Sequence, residues 1–171
     1  MSSLAPPTNF SRLDRKLMQD FIIARVVHVI AVLFWIGGVA FVTLVVMPSV
    51  HKEQRPADRL AAFHRLESRF APQARLWVLL AGASGFWMVW RGEMWGRFGD
   101  PHLWWMHAMV ALWLVFAVML FVIEPLIIHP RMAASSDPAG DFARMETMHR
   151  ILLAAAVVTL IGAVGGSHGL F

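Results

Sequence analysis

The chain has no cysteine in 171 residues. That excludes a disulfide framework, a thiolate-bound metal or iron–sulfur cluster, and covalent haem attachment through a CxxCH motif. Any metal must be held by histidine, methionine or carboxylate. Charge is also scarce, at 15% against roughly 25% in soluble domains, whereas 58% of the residues are apolar. Phosphate loops, dinucleotide glycine fingerprints and Ser/His/Asp nucleophile motifs are missing. The net charge of +4 does not indicate nucleic acid, because the basic residues flank apolar runs, where they orient membrane proteins.

What is present is long apolar sequence. Residues 103–128 contain only two ionisable side chains, His107 and Glu124, and about 20 apolar residues already cross a bilayer as a helix. Similar runs cover 21–47, 71–90 and 151–168. The expected fold is all-α: an integral membrane antiparallel four-helix bundle formed by residues 21–171, behind a polar tail at 1–20. The first run is too long for a signal-peptide core and lacks a small-residue cleavage pattern after it, so it reads as an anchor. Pro48 is expected to end it. Residues 49–69 read as an amphipathic helix that either lies at the interface or extends the second span, since Leu60, Phe63, Leu66 and Phe70 recur at helical spacing. Residues 131–150 read as a loop with a short turn before the fourth span.

Short connections make neighbouring spans antiparallel. The first and third spans then begin on one side of the membrane, side A, and their other ends reach side B. His28 lies about seven residues into the first span and His107 about five into the third, so their depths agree to within roughly one turn. Two imidazoles from facing helices are a common axial pair for haem iron. A non-covalent haem b between His28 and His107 is therefore expected. Arg25 is positioned for a propionate, and Trp35 and Trp105 for aromatic walls. His168, after Gly165, Gly166 and Ser167, is either an exposed terminal histidine or, on a flexible stretch, a residue at the haem edge. The plainer alternative for a membrane histidine is a hydrogen bond to a serine, a carbonyl or water.

Side B carries a weaker constellation. Glu124 and Arg75 are placed for an ion pair, and His149 with His64 or His129 is a candidate for a second haem or a copper ion.

The segments HVIAVLFWIGG (28–38), WMHAMV (105–110), EPL (124–126) and GSHG (166–169) resemble the small four-helix CopD-like membrane proteins. The first two are also similar to HemJ-type protoporphyrinogen oxidases, whose histidines correspond to His28 and His107 and whose tryptophan corresponds to Trp35. Where those oxidases carry a lysine two positions after the second histidine, this chain has Met109. Their Leu-Pro-Arg run after the tryptophan is missing. The resemblance implies haem binding, with porphyrinogen oxidation or copper handling as alternatives.

The expected function is a membrane cytochrome b in a bacterial inner membrane that transfers electrons, with lipid and a quinone or redox protein as partners. A homodimer is left open. Nine of the fifteen Lys/Arg fall on side B, which places that side in the cytoplasm and both termini outside. A reporter fused to the C-terminus is expected to show an external location, and cytoplasmic reporter activity would reverse the assignment.

Overall fold

The computed structural model describes residues 12–128 and 135–170, all helical or in short connections, with no strand among them. Helix α1 (Arg12–Phe41) passes through a π-helical turn (Val42–Val46) into α2 (Met47–Glu53), and after a 3-10 turn α3 spans Arg59–Arg91. Two further 3-10 turns, Met94–Gly99 and Pro101–Leu103, lead into α4 (Trp104–Val118). This helix continues as a π-helical segment (Met119–Ile128), and α5 covers Pro138–Ser167. Among the described residues three helical stretches are long and apolar enough to cross a membrane: Met18–Glu53, Pro101–Leu126 and Pro138–Ser167. In α3 the apolar run is interrupted by Gln73 and Arg75 near its start.

Several boundaries differ from the sequence expectation. The first helix begins at Arg12, because the stretch to Asp20 has no proline or glycine and is rich in Leu, Arg, Lys and Gln, which hold helical geometry readily. Pro48 does not end it. Met47 donates its N–H to the Val42 carbonyl, five residues back, and this widened turn carries the chain past a ring that would crowd a regular α-turn. Residues 59–69 extend α3 outward, the second of the two alternatives for that connector. The last helix starts at Pro138 rather than near residue 151. Asp137 caps it, accepting the Gly140 N–H at 3.0 Å, and Pro138 fills the first-turn position where a missing N–H costs nothing.

α3 packs along α1, α5 packs along α4, and α3 also touches α4 and α5. Two buried clusters result. One is built around Ala31, Trp35, Val78, Phe116 and Ala156, and the other, at side B, around Met47, Phe63 and Phe142. Glycines on one helix receive aromatic rings from another: Phe70 covers Gly38, Trp113 covers Gly82, and Trp104 and Trp105 cover Gly162 and Gly166. The Trp113 indole N–H also donates to the Val78 carbonyl at 2.9 Å, which fixes the ring over Gly82.

A side chain at residue 82 would have to displace that indole. Gly82→Val is therefore expected to destabilise the fold by about 1–3 kcal/mol, the usual cost of overpacking. Unfolding in detergent measures it, and unchanged stability would mean that Trp113 is free to move.

Candidate functional site

Two groups of polar side chains lie within the apolar helices, one toward each side. Toward side A, His28 is half-buried on α1 and faces α3. Its Nδ1–H donates to the Ala81 carbonyl at 2.9 Å and lies 3.2 Å from the Ser84 hydroxyl. A carbonyl can only accept, so the proton is on Nδ1 and Nε2 keeps its lone pair. Gly85 permits this approach, since a Cβ there would come within 3.1 Å of the His28 ring. The plain alternative, a histidine satisfied by carbonyl and serine, thus describes Nδ1. It is also the arrangement that orients an imidazole to present Nε2 to a metal.

Two turns along the same face, Trp35 is buried edge-on to Phe116 of α4, with ring centroids 5.1 Å apart. Its indole Nε1 is buried without a hydrogen-bond partner.

The Trp35–Phe116 contact fixes how α1 and α4 are aligned. His28 lies seven residues before Trp35 and His107 nine before Phe116, so their depths differ by about 3 Å. The matched depth holds, but the shared face does not. Seven residues are close to two full turns, whereas nine are two and a half, so His107 points away from α1. It is exposed, and its Nε2–H donates to the Phe98 carbonyl at 3.0 Å while its ring stands edge-on to Phe98. Its Nε2 is therefore engaged, and only Nδ1 is bare. The α4 residue seven before Phe116, on the side toward α1, is Met109.

Arg25 is exposed, one turn before His28. Trp105 is buried over Gly166 of α5 and lies near Trp104, so it walls the α4–α5 contact. Gly165 to Ser167 belong to α5, and the exposed His168 folds its Nδ1 onto the Val164 carbonyl at 2.8 Å. The terminal segment is helical rather than flexible.

Toward side B the expected ion pair is present: Arg75 Nη2 lies 3.2 Å from Glu124 Oε1. Arg75 Nε donates to the Leu120 carbonyl at 3.1 Å. In a π-turn that carbonyl would bond the N–H of residue 125, but residue 125 is proline and has none. The guanidinium supplies the missing donor and holds Glu124, which is 5% exposed. Glu67, four residues ahead of the apolar stretch of α3, has its Oε2 buried with no hydrogen-bond partner. Burial, and then the nearby charge of Glu124, push its carboxyl up to about 7. This contribution favours the folded state at acidic pH and is lost as pH rises from the carboxylate range through about 7. Sequence reasoning missed Glu67 because it lay in a stretch read as an interfacial connector.

Of the proposed second metal site, His149 donates Nδ1–H to the Met145 carbonyl at 2.9 Å and stands edge-on to Phe63. His64 is half-buried on α3, and His129 lies outside the described residues. Among the described residues no group of three or more His, Asp or Glu is arranged to hold a metal ion. No protein-family model, curated protein or solved structure matches the chain.

Removing Arg75 alone takes from the buried Glu124 the guanidinium that contacts its Oε1. Arg75→Leu is expected to cost about 3 kcal/mol, and Arg75→Leu/Glu124→Leu to recover most of it. Unfolding of the three proteins in the same detergent measures this, and equal losses in the single and double variants would disprove the coupling.

Proposed function

We propose that the chain is an antiparallel four-helix protein of a bacterial inner membrane that binds haem b on His28 and transfers electrons. The carrying observation is the His28 ring, held by the Ala81 carbonyl and Ser84 with Nε2 left to coordinate iron. The buried, unpartnered Nε1 of Trp35 on the same face fits a bound group in this region that brings a hydrogen-bond acceptor. For α3 as the fourth span, the support is its outward face, where Leu76, Leu79, Phe86, Trp87 and Trp90 are exposed, an apolar surface suited to lipid.

His107 holds its Nε2 on the Phe98 carbonyl, so as a second ligand it would have to turn or use Nδ1. Met109 lies two turns before Phe116 on α4, and its thioether sulfur would serve as the second ligand. Bound haem supplies a one-electron couple. The protein's part is to orient His28, exclude water with Trp35 and Phe116, and keep the site inside the helices. A quinone or a redox protein on side A would exchange the electron.

Copper handling remains the second reading in a different class, resting on the CopD-like segments; the described residues offer it no assembled site.

The purified wild type should carry haem with a low-spin b-type spectrum. His28→Ala should lose most of it, Met109→Ala should turn it high-spin, and His107→Ala should leave it low-spin. High-spin haem in His107→Ala with an unchanged Met109→Ala would restore His107 as the ligand. A colourless, copper-binding wild type would overturn the haem reading altogether.

A further inference from the structure

We infer that the groove between α2 and the start of α3 holds one anionic phospholipid of the side B leaflet, with its phosphate between Arg65 and Arg69, its head-group hydroxyls on Glu53 and an acyl chain along Val45 and Leu66. The site rests on the membrane location of the chain and is independent of whether haem binds.

The groove follows from the way the two helices run. Val45, Ser49 and Glu53 recur at helical spacing from the π-turn into α2, and Ala62, Arg65 and Arg69 do so along α3. Residues three or four apart share one face of a helix, and the two antiparallel faces border a groove of about 450 Å³. That volume falls in the range of small-molecule sites, roughly 300–1,000 Å³. Val50 and the small Ala62 are buried in its floor, whereas Glu53, Arg65, Leu66 and Arg69 are exposed along it.

Its chemistry is ordered by depth. The apolar stretch Met18–Glu53 ends at the groove, so this is where hydrocarbon gives way to water on side B. Helical side chains lean toward the N-terminus of their own helix. Because α3 begins at side B, the stems of Arg65 and Arg69 lean outward to the head-group level. α2 runs the opposite way, so Glu53 leans back over the groove. Val45 and Leu66 are left as its apolar end.

The charges select the lipid. Among the described residues neither Arg65 nor Arg69 forms an ion pair. Neighbouring cations do have local partners: Arg55 Nε donates to Asp58 at 2.8 Å and Arg59 Nε to the Gln54 carbonyl at 3.3 Å. Glu67, between the two arginines in sequence, has its Oε2 buried and does not line the groove. Two guanidinium groups and one carboxylate leave a net charge of one positive unit. A single phosphodiester cancels it, and guanidinium forks match phosphate oxygens. A head-group ammonium would restore the excess, whereas the hydroxyls of a neutral head can donate to Glu53.

The test is native mass spectrometry of the full chain, titrated in detergent with phosphatidylglycerol, phosphatidylethanolamine or phosphatidylcholine of identical acyl chains. One phosphatidylglycerol should be retained about fivefold more tightly than either of the others, the worth of one charge at a membrane surface. Arg65→Gln/Arg69→Gln should weaken it roughly thirtyfold and erase the preference. Lys52→Gln/Arg55→Gln, which removes the same charge from the same end but outside the groove, should leave both unchanged. Inorganic phosphate should not displace the lipid, since it has no chain for the apolar end. Equal retention of the three lipids by the wild type, equal losses in the two double variants, or displacement by phosphate would each overturn the proposal.

Discussion

The fold depends on a proline that removes one hydrogen bond and an arginine that restores it. Pro125 cannot donate to the Leu120 carbonyl, and in hydrocarbon an unsatisfied carbonyl costs several kcal/mol. Arg75 reaches across from α3 to fill the vacancy. Because its fork has further donors, the same side chain accommodates Glu124 within the apolar interior. A charged pair inside a membrane helix would otherwise be hard to explain. Here the pair is a consequence of closing the backbone account, and it joins α3 to the end of α4 at a defined level.

The two sides of the protein then divide their chemistry. Around His28 the packed polar groups are a carbonyl, a serine hydroxyl and, two turns on, an indole, with Arg25 exposed one turn away. Toward side B the groups are ionic, with Arg75 on Glu124 and Arg150 on Glu146.

Much of this was legible in the sequence. The small residues Gly82, Ser84 and Gly85 are visible in the sequence as a face that another helix can approach, though not as the place where His28 docks, and the positions of Glu124 and Arg75 toward the same side foretold their pairing. The rotation of α4 about its own axis was not legible. Depth follows from counting residues, but orientation requires knowing which residues face the interior, and a helix that is apolar all round gives no stripe to read. Trp105 and Phe116 supply that reference only once their contacts are seen, and they turn His107 outward. The π-turns were hidden for a related reason: whether a proline breaks a helix or widens it depends on what can satisfy the freed carbonyl, here a side chain 45 residues away in sequence. The start of α5 is written in the sequence, since Asp137-Pro138 followed by Ala139, Gly140 and Asp141 is a capping sequence as much as a loop.

The aromatic rings seated over Gly38, Gly82, Gly162 and Gly166 act as detents between helices. A ring lodged against a bare backbone cannot slip along the axis without climbing onto the next side chain, so sliding of one helix past another is blocked at four separate levels. Motion along the helices is left to the two places where the winding is already loose, Val42–Val46 and Met119–Ile128. A change there from five-residue to four-residue bonding would screw the following segment by about a quarter turn. Both loose places lie toward side B, so the molecule is geared: rigid where His28 sits and able to twist near the level where Arg75 meets Glu124.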